Sequence, residues 1–277
     1  MSAILVDEQG AVGVITMNRR ERFNAFDVRM AQDFRRAALR LARDERIRAV
    51  VLRGAGGVFS SGADLKYIRG GGAADDLAYL QPDERDIPSG YGEVFKQILE
   101  YLHSTISEIR RAPKPFVAAV DGMAAAGGLG LAMACDLVFA SSRASFEWAY
   151  GKTGLSGAES ITFFLPRILG FRKTMGLALL NPRLSAEEAL DAGLINGVFP
   201  AERFDEEIAA VAQRLAAGPT AAFAATKRLV NQSLQIERLD SHMDVEIDEL
   251  ARSADSEDFR GALDAFFEKR AAAFGGR

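Results

Sequence analysis

The sequence is poor in the residues that build disulfides, zinc sites and membrane spans. Its 277 residues include one cysteine, Cys135, and two histidines, His103 and His242. One cysteine excludes an intrachain disulfide, and no Cys/His spacing predicts a metal site. Cys135 lies in the apolar run LAMACDLVFA, which favours a buried side chain over a nucleophile. We assign no role to it or to His242.

Long apolar runs and strongly basic segments are also missing. No run reaches the roughly 18 apolar residues of a membrane span, and the start MSAILVDEQG lacks the features of a signal peptide. The net charge is −4, and basic residues are interleaved with acidic ones. This pattern argues against an extended nucleic-acid surface. We therefore expect a cytoplasmic protein that has neither nucleic acid nor a membrane as a partner.

Short apolar runs alternate with helical patterns along the first part of the chain. Strands are predicted at 12–17, 49–54, 116–120 and 136–141, with intervening helices, which indicates an α/β fold. The first of these helices is predicted to follow Asp27 as its N-cap. Residues 69–90 are rich in Gly, Asp and Pro and predict a mobile surface loop or lid. From Ser185 onward the pattern is mainly helical, with helices predicted near 203–217, 219–234, 237–254 and 256–272. We expect a core domain at 1–200 and a helical region at 201–277.

Two glycine-containing turns each follow a predicted strand. FSSGADLK (59–66) and AAAGGLGLAMACDL (124–137) both join a strand to a helix. Neither matches GxxxxGK[ST] or GxGxxG, so phosphate-binding and NAD-dependent functions are disfavoured. Backbone N–H groups at a helix start lack internal partners. One N–H from each turn, that of Ala63 in the first and that of Gly127 or Gly128 in the second, therefore predicts a two-donor hole for an oxyanion such as a thioester enolate.

Four segments together carry a family resemblance. SSGADLK, PKPFVAAVDGMAAAGGLGLAMACDLVFAS, LSAEEALDAGLINGVF and DAFFEKRAAAF resemble the enoyl-CoA hydratase/isomerase (crotonase) superfamily, in order and across almost the whole chain. The resemblance implies a crotonase-like spiral of ββα units and a helical C-terminal trimerisation region. It also implies homotrimers or hexamers and an acyl-CoA thioester held between the N–H groups of Ala63 and Gly127. Coenzyme A would be part of the substrate, and no separate cofactor is expected.

The resemblance also implies a set of residues that bind substrate or CoA. Two of them, Phe267 and Lys269, match positions that reach the CoA of a neighbouring subunit. For these outer positions, a core aromatic or a solvated charge is the alternative. The set comprises Arg22, Phe23, Ala25, Ser61, Asp64, Leu65, Lys66, Gly130, Phe267 and Lys269.

The catalytic positions depart from the family pattern. Family hydratases use two glutamates to hold water and move a proton. In this chain the corresponding positions are Gly130 and Tyr150, so hydration by two glutamates is disfavoured. Other branches, including the dienoyl-CoA and ring-acyl-CoA isomerases and the halobenzoyl-CoA dehalogenases, carry an aspartate eight residues after the second position. Here that position is Ala158, and Glu159 follows it.

Glu159 is accordingly the candidate acid, although a carboxylate that caps a helix start is the alternative interpretation. Tyr150 and His103, which stands near a catalytic histidine of the dehalogenase branch, are candidate partners in proton transfer. For His103, the wall of the acyl pocket or the helix surface is the alternative. Trp148 is expected in the core or the pocket wall, and Glu147 is a reserve acid.

Three functions remain open from the sequence. The first is an isomerase-type enzyme that forms a thioester enolate. The second is a CoA-thioester hydrolase or dehalogenase that uses Glu159 as its nucleophile. The third is a non-catalytic acyl-CoA-binding protein that keeps the fold without the acids.

Overall fold

The computed structural model describes residues 2–73, 76 and 90–275. Ten strands in this part of the chain form two sheets. The larger has the order β1-β2-β3-β5-β7-β10 and the smaller β4-β6-β8-β9. The strands are β1 (Ile4–Gln9), β2 (Val12–Met17), β3 (Ala49–Gly54), β4 (Val58–Ser60), β5 (Phe116–Val120), β6 (Met123–Ala125), β7 (Leu137–Ser141), β8 (Ser145–Glu147), β9 (Arg183–Ser185) and β10 (Gly197–Phe199).

The chain repeats one structural unit as it winds between the two sheets. In each unit a longer strand joins the large sheet, a three-residue strand joins the small sheet, and a helix follows. The pairs β3–β4, β5–β6 and β7–β8 all obey this rule, and β2, β3, β5 and β7 are parallel neighbours. The predicted α/β spiral of ββα units is therefore confirmed.

The helices begin where local capping is available. Asp27 accepts a hydrogen bond from the N–H of Met30 (2.8 Å) at the start of the first helix, as its N-cap pattern predicts. Ser185 and Glu188 likewise form a reciprocal capping box. The helices are α1 (Val28–Arg43), α2 (Leu65–Arg69), α3 (Tyr91–Arg111), α4 (Gly127–Ala134), α5 (Ile161–Leu180), α6 (Ala186–Asp191), α7 (Phe204–Ala217), α8 (Thr220–Ser233), α9 (Leu239–Ala254) and α10 (Glu257–Phe267).

The C-terminal helices pack onto their own chain. Phe204 and Ile208 of α7 bury against the outer face of the large sheet. Phe259 of α10 makes edge-to-face contacts with Tyr91 and Phe95 of α3 at ring-centroid distances of 5.6 and 5.8 Å. Apolar side chains from before and after residue 200 share one core cluster. The boundary between 1–200 and 201–277 stays a prediction.

Two sequence predictions concern segment ends. The last helix, predicted over 256–272, ends at Phe267, because Lys269 takes a left-handed backbone conformation (φ 54°). The loop predicted over 69–90 lies largely outside the described residues. Within the described part, no helix has the length and apolar character to cross a membrane.

Candidate active site

A cavity of about 480 Å³ lies where the turns after β4 and β6 face helices α3, α9 and α10. Its apolar wall includes Phe95, Leu99, Leu155 and Leu250. Of the predicted site residues, those that line it are Arg22, Phe23, Ala25, Ser61, Ala63, Asp64, Leu65, Lys66, Tyr150, Glu159 and Phe267. Most of the predicted set is thus brought together on one surface, although no bound molecule identifies the role of each member.

The N–H groups of Ala63 and Gly127 occupy neighbouring turns. Phe26 N–H donates to the Gly62 carbonyl and Asp64 N–H donates to the Phe26 carbonyl, both at 2.8 Å. Because N–H directions alternate along extended chain, the N–H of Ala63 faces away from Phe26. Gly62 has φ +89°, and a Cβ there would lie 2.8 Å from the Gly127 nitrogen. A glycine is therefore required for the two turns to approach each other.

Gly127 is the first residue of α4, where a backbone N–H has no acceptor within the helix. Among the described residues, neither its N–H nor that of Ala63 donates a hydrogen bond. The preceding Ala126 has an unusual backbone conformation (φ 46°, ψ −121°), which marks a sharp entry into the helix. Two neighbouring backbone donors, one of them at a helix start, are suited to bind an oxyanion.

The Glu159 carboxyl group lies directly against the start of α4. A Cβ on Gly127 would be 2.6 Å from the Glu159 carboxyl carbon, and a Cβ on Gly130 would be 2.5 Å from the Glu159 carbonyl oxygen. Gly130 therefore has a steric role, because the absence of a side chain leaves the space that Glu159 occupies. This contact was not apparent from the sequence.

Glu159 is poised to exchange a proton near neutral pH. Its side chain is 3% exposed, and burial raises its pKa from 4.5 to about 7. The Tyr150 hydroxyl donates to Glu159 Oε2, which opposes this rise, while the charge of Glu246 adds to it. Burial and the Glu159 carboxylate hold the pKa of Tyr150 well above its usual value, so Tyr150 acts as a neutral donor.

His103 lies behind Glu159, outside the lining of the cavity. Its Nε2 accepts a hydrogen bond from the backbone N–H of Glu159 (3.3 Å). Burial lowers the pKa of His103 to about 4, so the imidazole is neutral at physiological pH. In this position it orients the main chain of Glu159. Its predicted part in proton transfer stays a prediction.

Two further residues were not singled out by sequence reasoning. Glu246 and His242, both on α9, contact the Ser160–Thr162 segment that follows Glu159. Glu246 lies more than 80 residues from this segment in sequence and is one of several acids on its helix. No local pattern distinguishes it.

The outer predicted residues have additional structural contacts. Asp64 caps α2 by accepting from the N–H groups of Lys66 and Tyr67 at 3.0 and 3.1 Å, and it pairs with Arg19 at 3.0 Å. Lys269 and Gly130 do not line the cavity, nor does Gly127, which lies directly after the lining residue Ala126, whereas Phe267 lines the cavity of its own chain. The CoA-binding roles of this set stay predictions.

The reserve acid Glu147 also lines the cavity, but it is already paired. Its carboxylate contacts Lys152 Nζ and lies 3.3 Å from the Arg183 guanidinium. Trp148 is buried with its ring edge-to-face on Tyr150 at 5.7 Å. Cys135 is buried as well, and burial raises its thiol pKa to about 12, so it is not a nucleophile.

A spiral of ββα units with a buried acid beside two neighbouring glycine turns defines a class of α/β proteins whose site is suited to bind an oxyanion. Within that class, the model of the family described as "Enoyl-CoA hydratase/isomerase" matches residues 7–277. The chain belongs to this family.

Individual relatives carry different reaction names. The chain is 32% identical to "4-chlorobenzoyl coenzyme A dehalogenase-2" of Arthrobacter sp over 96% of its own length and 91% of that protein. It is also 32% identical to "1,2-epoxyphenylacetyl-CoA isomerase" of Escherichia coli (strain K12), with both chains covered completely. A solved enoyl-CoA hydratase from Mycobacterium avium subsp. paratuberculosis K-10 superimposes with a TM-score of 0.84 at 30% identity, covering 99% of this chain and 98% of that one. Family members are thus enzymes of acyl-CoA chemistry, but their reactions differ.

Proposed function

We propose that the protein is an acyl-CoA isomerase in which Glu159 is the single acid/base. The observation that carries this proposal is the Glu159 carboxyl group, which is buried in the cavity wall against Gly127. One carboxyl that titrates near neutral pH can both remove and return a proton. The proposal assigns the acyl thioester to the cavity and the thioester carbonyl to the N–H groups of Ala63 and Gly127.

The proposed reaction moves one proton and one double bond. The Glu159 carboxylate removes a proton from the carbon next to the thioester carbonyl, and the electron pair delocalises onto the carbonyl oxygen. The two N–H groups stabilise that oxyanion, which contributes about 3 kcal/mol per donor in comparable sites. Protonated Glu159 then returns the proton to the γ-carbon of the unsaturated acyl group. The electrons rearrange, the double bond shifts, and Glu159 is again a carboxylate.

Hydration is disfavoured because it requires a second carboxyl group to hold water. Gly130 and Tyr150 occupy the two positions at which family hydratases carry glutamates. Tyr150 is a neutral donor to Glu159, so it supports the single acid instead of replacing the missing one. Two other functions remain alternatives: hydrolysis or dehalogenation with Glu159 as nucleophile, and acyl-CoA binding without catalysis. Similarity to a 4-chlorobenzoyl-CoA dehalogenase favours the former.

Turnover of a panel of enoyl-, dienoyl- and aryl-CoA thioesters tests the proposal. We expect isomerisation of an unsaturated acyl group by the unaltered protein and its loss in Glu159→Gln. Glu147→Gln is the matched control, because Glu147 is a second buried glutamate of the same cavity. Release of halide or free acid from an aryl thioester would favour the nucleophilic alternative. Binding without any turnover would favour the non-catalytic one.

We also propose that the protein self-associates as a homotrimer or hexamer. Large apolar side chains stand exposed on α5 and α6, with Leu180 at 82% and Phe171 at 70% exposure. A contiguous apolar patch on a single chain typically marks a protein interface. The acyl-CoA substrate supplies coenzyme A, and a cytoplasmic location remains a prediction.

A further inference from the structure

A buried carboxylate on α9 is attached to the turn that carries Glu159. The Glu246 side chain is 4% exposed. Its Oε2 accepts from the N–H of Ser160 at 2.7 Å, and its Oε1 accepts from the N–H of Thr162 at 3.1 Å. The Thr162 hydroxyl donates to the same Oε1. Every one of these donors lies within three residues of Glu159.

The turn uses an acceptor from outside for two of its backbone N–H groups, those of Ser160 and Thr162. Glu159 and Ser160 both adopt left-handed backbone conformations, with φ 51° and 60°, which are unfavourable for residues other than glycine. Helix α5 begins immediately afterwards, where backbone N–H groups have no acceptor one helical turn earlier. The N–H of Ile161 donates to the Ala158 carbonyl at 3.2 Å, and Glu246 accepts from that of Thr162. The Ser160 hydroxyl donates backwards to the Glu159 carbonyl at 2.6 Å and gives no cap. Glu246 caps α5 from a distant helix.

The charges around this turn are few and close together. His103 Nε2 and His242 Nε2 lie 3.8 and 3.5 Å from the Glu246 carboxylate. Tyr150 and Glu159 face it from the cavity side, and Asp244 on α9 also acts on His103. Because His103 is neutral at physiological pH, it does not offset the negative charge of Glu246. That charge adds to the rise in the pKa of Glu159.

We propose that Glu246 is a positioning residue for the reaction: it holds the strained Glu159–Ser160 turn so that the Glu159 carboxyl lies against Gly127 in the cavity. The inference rests on the proposed role of Glu159. Glu246 does not line the cavity, so it acts through Glu159 and not through the substrate. It also makes the C-terminal helical region part of the active-site architecture within one chain.

The test is Glu246→Gln, assayed on a thioester that the unaltered protein turns over. The Gln side chain has one acceptor oxygen, whereas the N–H groups of Ser160 and Thr162 each use a separate oxygen of Glu246. We therefore expect the turn to shift. We expect kcat to fall about 10- to 100-fold, as small displacements of reacting groups do, with KM unchanged. The acid limb of the pH–rate profile should move to lower pH, because the charge that raises the pKa of Glu159 is gone. A purely structural role would not produce this movement.

Glu249→Gln is the control on the same helix, since Glu249 is 51% exposed and pairs with Arg252 at 2.7 Å. It should retain both kcat and the acid limb. If Glu246→Gln does not fold, Thr162→Val removes the hydroxyl that donates to Glu246 and contacts His242 Nε2, and it leaves both backbone donors in place. A smaller loss of kcat at unchanged KM is then expected. The inference is overturned if a folded Glu246→Gln variant keeps the kcat and the acid limb of the unaltered protein. If Glu246→Gln fails to fold, an unchanged kcat in Thr162→Val overturns it. Retained activity in Glu159→Gln would instead overturn the proposed function.

Discussion

The substitution Glu159→Gln separates a catalytic carboxyl group from a structural one. A glutamate that caps a helix stabilises the fold, so its replacement costs stability. A glutamate that is kept buried for catalysis destabilises the fold when it is ionised, so its replacement by Gln should raise the free energy of unfolding. Gln has nearly the same shape and can still accept the Tyr150 hydrogen bond. It therefore mimics protonated Glu159 at every pH, and any difference between the two proteins reports the cost of ionising Glu159.

The size of the effect follows from the raised pKa. Burial raises the pKa of Glu159 from 4.5 to about 7. At about 1.4 kcal/mol for each tenfold change in proton affinity, ionisation of the buried group costs about 3 kcal/mol relative to the unfolded chain. A raised folded-state pKa adds stability that is fully present below pH 4.5 and lost as the pH rises through about 7. Glu159→Gln should match the unaltered protein at pH 4.5 and exceed its free energy of unfolding by about 3 kcal/mol at pH 9.

Urea unfolding at several pH values measures this difference, with the protomer concentration held fixed because association shifts apparent stability. Glu188→Gln is the comparison, since Glu188 closes a capping box by accepting from the N–H of Ser185 at 2.8 Å. Glu188→Gln should lower the free energy of unfolding by up to about 1 kcal/mol, by the same amount at pH 6 and at pH 9. A loss of stability in Glu159→Gln that is the same at both pH values would refute the reasoning and favour a capping role.

Three further predictions concern the surroundings of Glu159 and the exposed apolar surface. Gly130→Ala places a methyl group 2.5 Å from the Glu159 carbonyl oxygen, so steady-state kinetics should show a loss in kcat of about 10-fold or more in a protein that still binds acyl-CoA; unchanged kcat would contradict this packing. His103→Gln should leave the acid limb near pH 7 in place, because His103 has a pKa of about 4; a displaced limb would make His103 the titrating group. Phe171→Glu combined with Leu180→Glu should lower the mass measured by light scattering to that of a smaller species, and an unchanged mass would exclude this face as the interface.

The sequence allowed correct prediction of the parts of the fold that local chemistry determines. Asp27 sits one residue before α1 and caps it, and four apolar runs lie where β2, β3, β5 and β7 form. The three-residue strands β4, β6, β9 and β10 were not predicted, because a periodic pattern cannot be recognised over so few residues. Their pairing is fixed by the sheet they complete, not by their own composition. The N-terminal strand β1 was missed as well.

The site was predictable only where a single motif contains it. The position of Gly127 at the start of α4 follows from its own segment, and so does that of Ala63 beside Gly62. The contact between Gly130 and Glu159 was not predictable, because the two residues are 29 positions apart and the contact depends on a turn with two left-handed residues. The contact with Glu246 spans a still longer separation and depends on where α9 packs.

Proton exchange at the acyl carbon next to the thioester carbonyl tests the central claim most directly. The assay incubates the protein with an acyl-CoA in D₂O and follows loss of that carbon's proton signal by NMR. Stabilisation of an enolate by the N–H groups of Ala63 and Gly127, with Glu159 as the base, predicts exchange by the unaltered protein and none by Glu159→Gln. Tight binding of the thioester without exchange, or equal exchange by both proteins, would contradict the account.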